Sequence, residues 1–379
     1  MSVRKRTLPG GGTAWLVDYR DNTGIRRARQ FGTKREADAF NVLARSELAA
    51  GTHTADGASI TVRKAGELWI ARCERDKLEA ATLLDYRQHL KLHILPFLGN
   101  AKLSRLTVPT VNTFRDQLLD AGRSPDMARR VLKSLAALVG EAQSRGLVAT
   151  NVVRDITRRR NKRTEVRPTM PAQAELQAIV TATPAPKRPL ILTALLTGLR
   201  SSELRGLQWG DIDFQRGMLS VRRRADRYNK LGPPKSDAGT RDIPMSPMLI
   251  NTLRSWRLEC PKGDLDLVFP NGAGNVESHA NLLHRVFWPI QLDAGVVVMR
   301  EHIDGAGVPI KVPDAKYSLH ALRHACAALW IAQGFNPKRV QTLMGHASIA
   351  VTFDRYGYLF EAYDTGAADM TAIAQRLVG

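Results

Sequence analysis

Cysteine is scarce in this sequence, and long apolar runs are missing from it. The 379 residues include 3 cysteines, which lie far apart and form no Cys-x-x-Cys pair. This pattern excludes a disulfide framework and the common paired-cysteine zinc sites. No apolar stretch approaches the roughly 20 residues that a bilayer-spanning helix needs. The basic start, MSVRKRTLPGGG, has no apolar segment behind it, so we expect no secretory signal and predict a reduced cytosolic protein without bound metal.

Acidic residues are also in short supply. The chain has 36 Asp and Glu against 56 Lys and Arg, which gives a formal net charge of +20. Basic groups that neutralise phosphates release condensed counterions, so this excess favours a nucleic acid as partner, with a membrane surface as the competing interpretation. The length is sufficient for two or three domains, each with its own core.

One stretch near the end of the chain, Ser318 to Tyr358, combines helical periodicity with potential catalytic side chains. Its apolar residues recur at three- and four-residue spacing, namely Leu319, Leu322, Cys326 and Leu329. This periodicity predicts an amphipathic helix. His320 and Arg323 stand three residues apart and should share a face of that helix, clear of its apolar stripe.

A second helix is predicted a few residues later. Asn336 can cap it, Pro337 can occupy its first position and Gly345 ends it. His346 follows at once, and Tyr356 comes 10 residues after that histidine, in a polar run. The sequence thus predicts that these side chains sit at the ends of structural elements.

Each of these residues also has a structural interpretation. His320 and His324 stand four apart, but the metalloprotease motif needs a glutamate directly after its first histidine, where this chain has Ala321. A single tyrosine in a turn is commonly a surface residue, and Arg323 alone fits a structural salt bridge. Taken singly, these positions therefore define no function, and no metal site is favoured.

Taken together, the pattern His-x-x-Arg, Leu-x-Gly-His and Tyr resembles the carboxyl-terminal signature of the tyrosine recombinases, the lambda-integrase-like family. The resemblance implies that His320, Arg323, His346 and Tyr356 are active-site residues, with Tyr356 as the nucleophile. The spacing from His346 to Tyr356 is one residue longer than the commoner one, a variant that we associate with phage-type members. Tyr358 is therefore the weaker alternative.

A second motif that could carry catalytic residues lies earlier in the chain. The apolar segment Pro189 to Thr197 predicts a buried helix, and Arg200, just beyond it, would be held rigidly beside the core. Alone, Arg200 fits a simple pair with Glu203. The string Thr-Gly-Leu-Arg-x-Ser-Glu-Leu resembles the first conserved box of the same family, which implies a catalytic Arg200 and a buttressing Glu203.

A lysine completes the set that the resemblance implies. Pro-Lys-Ser, followed by Thr-Arg-Asp-Ile-Pro, resembles the hairpin that carries the family's general-acid lysine, and the match falls on Lys235, with Lys230 as the alternative. The composition of residues 229–239 predicts a mobile loop. Residues 296–316 match nothing that we can interpret and are taken as an insertion.

The first part of the chain is expected to form a small α+β module over residues 1–53. Ala14 to Tyr19 and Arg26 to Phe31 predict two strands joined by a hairpin, and Thr33 opens a helix with a capping box. The module is similar to the arm-site-binding modules of phage integrases. A merely solvated basic face is the alternative.

Two further domains are expected, separated by a basic linker over residues 154–168. Residues 60–153 show four helical periods and are similar to the family's all-α core-binding domain. Residues 169–379 should form a mainly α catalytic domain with a small β-sheet, so the fold class is a multidomain tyrosine recombinase fold. The basic run in the linker could alternatively be a nuclear localisation signal. The candidate DNA contacts are Arg87, Lys91, Lys102, Arg129, Arg130 and Lys133 in the helical domain and Arg158, Arg159 and Arg160 in the linker.

The resemblance implies a site-specific recombinase that cuts and rejoins double-stranded DNA through a 3′-phosphotyrosyl intermediate, without a cofactor, and that integrates or excises a prophage or mobile element. It further implies core and arm DNA sites, a homotetramer on DNA and an accessory bending or directionality factor, in the cytoplasm and nucleoid of a bacterial host. The alternatives are an Xer-like dimer-resolving recombinase, a topoisomerase-like enzyme and a non-catalytic DNA-binding regulator.

Helical periodicity also predicts a short amphipathic helix at Asp364 to Leu377.

Overall fold

A computed structural model describes residues 1–9, 11–21, 24–49, 59–158, 169–305 and 307–362. The chain divides into two compact units, Met1–Thr164 and Glu165–Gly379. The predicted tail helix and the later part of the basic linker lie outside the described residues.

The first unit begins with a three-stranded antiparallel sheet in the order β1-β2-β3, covered by one helix. The elements are β1 (Ser2–Thr7), β2 (Thr13–Arg20), β3 (Arg26–Phe31) and α1 (Lys34–Ala49). The predicted capping box is confirmed, because the backbone N–H of Glu36 donates to Thr33 Oγ1 at 3.3 Å and the N–H of Thr33 donates to Glu36 Oε2 at 3.2 Å. The sequence prediction missed β1, whose basic residues show no apolar alternation.

Helices dominate the described residues 59–158 of the first unit, around a core that includes Trp69, Ile94, Phe114 and Leu135. The four predicted helical stretches are confirmed, although the second changes to a π-helical turn over His89–Ile94. A further helix, not predicted, covers the start of the supposed linker and ends at Arg158. The helices are α2 (Val62–Arg75), α3 (Ala80–Gln88), α4 (Leu95–Leu98), α5 (Val108–Asp120), α6 (Pro125–Ser144) and α7 (Val152–Arg158).

The second unit is mainly helical. The helix predicted to be buried on every side spans Arg188–Thr197 and is buried along almost its whole length. The helices are α8 (Gln173–Ala182), α9 (Arg188–Thr197), α10 (Ser201–Arg205), α11 (Pro247–Glu259), α12 (His279–Asn281), α13 (Trp288–Asp293), α14 (His320–Ala332), α15 (Pro337–Met344) and α16 (Ile349–Ala362), with a π-helical turn at Leu282–Phe287.

Short antiparallel strands accompany these helices in three groups, β4-β5-β8, β6-β7 and β9-β10. The strands are β4 (Ile212–Asp213), β5 (Met218–Val221), β6 (Arg224–Ala225), β7 (Leu231–Gly232), β8 (Arg241–Pro244), β9 (Val297–Ile303) and β10 (Pro309–Ala315). The predicted fold class, a small α+β module, an all-α domain and a mainly α domain with a small sheet, is therefore confirmed.

Two segments of the second unit differ from the sequence interpretation. The supposed loop 229–239 contains β7, which pairs with β6, and a short 3₁₀ turn at Asp237–Gly239. The uninterpreted segment 296–316 contains the β9–β10 hairpin, most of whose residues are exposed. Because neither face of that hairpin is buried, its sequence lacks the alternation of apolar and polar residues by which strands are recognised.

Candidate active site

Arg323 lies at the centre of a cluster of polar side chains in the second unit. Its side chain is buried, with 1% of the residue exposed, so the prediction that it lies clear of the apolar face was wrong. Its guanidinium donates to the carbonyl oxygen of Gly198 at 2.5 Å and to that of Met344. These carbonyls end α9 and α15, where a helix leaves acceptors without intrahelical partners. A guanidinium has more N–H donors than these two bonds use.

Glycines at the ends of α9 and α15 shape this arrangement. Gly198 and Gly345 have φ values of 61° and 63°, the left-handed conformation that commonly terminates a helix. A Cβ atom on Gly198 would lie 2.7 Å from the Met344 side chain, and one on Gly345 would lie 2.8 Å from the carbonyl oxygen of Ala238. Both positions therefore favour glycine for its conformation, and the backbone oxygen beside Gly345 also leaves no space there for a side chain.

Arg200 joins the cluster through Glu203 and Gly345. Its guanidinium donates to Glu203 Oε1 at 2.6 Å and to the carbonyl oxygen of Gly345 at 2.9 Å. Glu203 is buried and also receives two hydrogen bonds from Arg241, at 2.9 and 3.2 Å. Burial opposes ionisation of Glu203, but the hydrogen bonds and charge of Arg241, with the charges of Arg200 and Arg323, lower the pKa of its carboxyl to about 2. Glu203 is thus held as a carboxylate between arginines.

Arg241 was not singled out from the sequence. It is buried in β8 and donates from Nε to the carbonyl oxygen of Leu343 at 2.7 Å and from Nη1 to that of Gly239 at 2.9 Å. It therefore links the end of α15 to the segment that carries Lys235. The only sequence signal for it was its place in the Thr-Arg-Asp-Ile-Pro string.

His346, directly after α15, is buried in the same cluster. Its Nδ1 lies 2.9 Å from Thr352 Oγ1, whereas its Nε2 is buried without a hydrogen-bond partner among the described residues. Burial, followed by the positive charge of Arg323 nearby, lowers the pKa of His346 to about 3. A buried polar atom without a partner is costly, so Nε2 is suited to meet a group that the isolated chain does not supply.

His320 occupies the first position of α14, where the residue is exposed. Its ring centroid lies 4.7 Å from that of His324, at 90° to it. Desolvation, then the neighbouring His324 and Arg323, lower the pKa of His320 to about 4. Two shallow depressions flank it, one lined by Arg200 and His279 and the other by Lys316 and His324.

Tyr356 lies inside α16, not in a turn or at an element end as predicted, and the residue is completely buried. Its hydroxyl is 2.8 Å from His324 Nδ1, and its ring stacks on His346 with centroids 6.3 Å apart. Burial raises the pKa of Tyr356 to about 12, against the opposing charges of Arg323 and Arg355. Tyr358 follows two residues later, which places it on a different face of the helix.

His324 is the functional candidate that the sequence interpretation missed. It entered that interpretation only as a possible metal ligand. It follows Arg323 in α14, and no local pattern ties it to a tyrosine 32 residues away. Only the packing of α14 against α16 brings the two together.

The two candidate lysines lie on the segment between β6 and β8. Lys235 is exposed, after β7. Lys230 is exposed in the turn before β7, where its backbone N–H donates to Asp226 Oδ1 at 2.9 Å. The structure thus ties the segment of Lys235 to the cluster through the hydrogen bond from Arg241 to Gly239.

The candidate DNA contacts of the first unit lie mostly on its surface. Arg87 pairs with Glu74, and both Arg129 and Arg130 pair with Asp126. Lys91 and Lys133 are exposed, whereas Lys102 is half-buried. The backbone of Arg158 belongs to α7, and the other two linker residues, Arg159 and Arg160, lie outside the described residues.

Within the described ranges, the histidine, cysteine, aspartate and glutamate side chains form no group of three or more with the geometry of a metal site. The helices in the same ranges include none with both the length and the apolar character needed to cross a bilayer. The cluster offers positive charge, hydrogen-bond donors and the phenol of Tyr356. It holds Arg200, Arg241 and Arg323 against the single carboxylate of Glu203.

The sequence profile of the phage integrase family matches residues 171–361, about half of the chain. The chain belongs to the phage integrase family. A profile of the phage integrase N-terminal SAM-like domain also matches this integrase, over residues 61–119. It is accordingly a tyrosine recombinase, an enzyme of the class that cleaves and rejoins DNA through a tyrosine intermediate.

Curated proteins with similar sequences include a recombinase, a prophage integrase and a transposase. A tyrosine recombinase XerC-like protein of Caldanaerobacter subterraneus is 24% identical, over 92% of this chain and 93% of its own length. The prophage integrase IntR of Escherichia coli is 22% identical, over 77% of this chain and 74% of its own. The transposase of transposon Tn916 from Enterococcus faecalis is 29% identical, over 48% of this chain and 44% of its own.

Solved structures show the same fold. The integrase of transposon Tn1549, in complex with transposon right-end DNA, matches with a TM-score of 0.64 and 20% identity, over 84% of this chain and all of the other (100%). A lambda integrase tetramer bound to a Holliday junction matches with a TM-score of 0.56 and 21% identity, over 91% and 95% of the two chains.

Proposed function

We propose that this integrase cuts and rejoins double-stranded DNA by attack of Tyr356 on a phosphodiester, and that it serves the integration or excision of a prophage or mobile element. One observation carries the proposal: a completely buried tyrosine shares a cluster with two histidines and with arginines that outnumber the carboxylate balancing them. Such a cluster has the charge and the donors to receive a phosphate, and it contains a nucleophile.

Two arginines would stabilise the five-coordinate phosphorane. Arg200 and Arg323 are anchored by backbone carbonyls and by Glu203, so their positions need little reorganisation when charge develops on the non-bridging oxygens. Donors that are already in place are worth more than donors that must be recruited. His346 would add a hydrogen bond from its buried Nε2, which has no partner in the described part of the chain, and His320, at the edge of the cluster, would add another.

Lys235 would protonate the departing 5′ oxygen. It is a surface residue on a segment whose base is attached to the cluster through Arg241, so DNA bound over the cluster would lie within reach of it. Glu203 would not exchange protons, because its pKa of about 2 keeps it ionised at working pH. The covalent product would be a 3′-phosphotyrosine, whose formation conserves the phosphodiester energy for rejoining.

The first unit offers two basic surfaces for the DNA outside the reaction centre. Strand alternation and register place Arg4, Arg6, Arg20 and Arg26 on the sheet face that carries Asp18, opposite the face on which Tyr19 meets Phe40 of α1. We infer that this face binds the arm-type sites, and that Arg87, Lys91 and the basic residues of α6 contact the core site. We further infer a homotetramer on DNA, as in the lambda integrase complex, and an accessory bending or directionality factor.

An Xer-like resolving role is the second candidate. It is favoured by the XerC-like relative, which aligns along nearly the whole of both chains. The basic sheet of the N-terminal module favours the integrase role instead, because a separate module implies a second class of DNA site.

A nicked suicide substrate tests the chemistry. Loss of the short fragment after cleavage prevents rejoining, so the protein accumulates as a covalent adduct that a denaturing gel resolves. We expect Tyr356→Phe to bind DNA normally and form no adduct, and Tyr358→Phe, the matched control, to form it at the normal rate. An adduct from Tyr356→Phe would contradict the assignment, and so would a strict magnesium requirement for cleavage.

A further inference from the structure

A hydrogen bond joins Tyr356 to a histidine outside the set that the sequence implied. His324 Nδ1 lies 2.8 Å from the Tyr356 hydroxyl, and the two ring planes meet at 64°. The edge of the imidazole, which carries its nitrogen, therefore meets the phenol oxygen. This geometry is that of a proton donor and acceptor in direct contact.

The protonation state of His324 suits it to accept a proton. Desolvation, followed by the positive charges of Arg355 and Arg323, lowers the pKa of this imidazole to about 4, so the ring is neutral near pH 7. A neutral imidazole that carries its proton on Nε2 has a lone pair on Nδ1. Tyr356, whose pKa burial raises to about 12, is a weak nucleophile until its proton is removed.

The other two histidines of the cluster are less well placed for this step. The ring of His346 is nearly parallel to that of Tyr356, at 17°, and its Nδ1 is engaged with Thr352. His320 contacts His324, edge to face, at the exposed start of α14. Among the described contacts, His324 is the imidazole that hydrogen-bonds the phenol oxygen.

We propose that His324 accepts the proton of Tyr356 as the phenol oxygen attacks phosphorus. This inference rests on the proposed function, because it takes Tyr356 as the nucleophile. The O–H bond of Tyr356 breaks as an N–H bond forms on Nδ1, and the phenol oxygen bonds to phosphorus as the bond from phosphorus to the 5′ oxygen breaks. The 5′ oxygen receives its proton from Lys235. In rejoining, the imidazolium returns its proton to the departing phenol.

Two substitutions of His324 test whether its imidazole accepts a proton. His324→Asn keeps a hydrogen-bonding oxygen near the position of Nδ1 but cannot take up a proton, and His324→Leu removes both properties. We expect each variant of the full chain to bind the suicide substrate normally and to form the adduct about 100-fold more slowly. His302→Asn, a matched change of an exposed histidine on β9, should leave the rate unchanged. A normal rate in His324→Asn would overturn the proposal.

The decisive experiment replaces Tyr356 with an analogue whose hydroxyl loses its proton more easily. A trifluorotyrosine installed at position 356 has a more acidic phenol, so its attack depends less on a proton acceptor. We expect the rate loss caused by His324→Asn to shrink from about 100-fold to about tenfold or less in that background. An undiminished loss would show a role in packing alone and overturn the proposal. Adduct formation by Tyr356→Phe would instead refute the proposed function, so the two failures are distinguishable.

Discussion

The two units of this integrase use arginine–carboxylate clusters in opposite ways. On α6 of the first unit, Arg129 and Arg130 share Asp126, and all three side chains are exposed, by 64%, 63% and 44%. In the second unit, Arg241 and Glu203 are each 3% exposed. The composition of the two clusters is similar, but only the second is shielded from water.

The difference in burial decides what each cluster can do. An exposed pair is worth about 0–1 kcal/mol, so Arg129 and Arg130 can exchange Asp126 for a DNA phosphate at little cost. A buried pair must recover a large desolvation penalty through well-placed hydrogen bonds, and so it does not exchange partners freely. Glu203 is accordingly a fixed hydrogen-bond partner of Arg200.

Conservative arginine substitutions should separate the two clusters most strongly. Arg323→Lys keeps a positive charge but cannot reach both helix-end carbonyls and a phosphate, so adduct formation on the suicide substrate should fall by about 10²–10³-fold. Arg130→Lys, the same change in the exposed cluster, should alter the rate less than about twofold. Equal losses of adduct formation in the two variants would show that the buried and exposed clusters do not differ in this way.

The carboxylates should differ in their contribution to stability. Glu203→Gln leaves the buried Arg241 without a counter-charge, and we expect it to reduce the free energy of unfolding by about 3–5 kcal/mol. Asp126→Asn on α6 should cost less than about 1 kcal/mol. Urea unfolding of the full chain, followed by tryptophan fluorescence, measures both changes. A small effect of Glu203→Gln would mean that the buried cluster tolerates unbalanced charge.

Acid should weaken the buried cluster through its histidines. Because the pKa of His346 is about 3 in the folded protein, against 6.5 for the unfolded chain, the unfolded chain binds more protons as the pH falls below neutral. The contribution of neutral His346 to the free energy of unfolding is therefore complete above about pH 6.5 and is lost as the pH falls below that value. We expect His346 to contribute about 2 kcal/mol of destabilisation between pH 7 and pH 5. Melting curves of His346→Asn should show a weaker pH dependence than those of the wild type or of His302→Asn.

The smallest expected effect is a change in the salt dependence of DNA binding when an exposed arginine is replaced. Removing one phosphate contact should reduce the slope of log affinity against log salt concentration by about one. We expect Arg130→Gln to show this reduction for core-site DNA, with the rate of adduct formation at saturating protein unchanged. Gel-shift titrations over a range of potassium chloride concentrations measure the slope. A slope identical to that of the wild type would place Arg130 away from the DNA backbone.

The sequence by itself determined the local features of this protein. As predicted, Asn336 caps α15 by accepting the backbone N–H of Arg339 at 2.8 Å, and the helix ends at Gly345, which the structure shows in the left-handed conformation. Such features depend on residues a few positions apart, so they can be recognised without knowledge of the fold. Short strings that resemble the family's motifs also pointed to Arg200, Arg323 and Tyr356, but not to Arg241 or His324.

The tertiary structure decided how those residues meet. The bond from Arg200 to Gly345 spans 145 residues, and that from Arg241 to Leu343 spans 102. A periodic pattern indicates which residues lie on an apolar face, but it does not show that a buried arginine there will find two helix-end carbonyls, as Arg323 does. The contact of His324 with Tyr356 likewise exists only because α14 packs on α16, and contacts between distant segments leave no signal in local spacing.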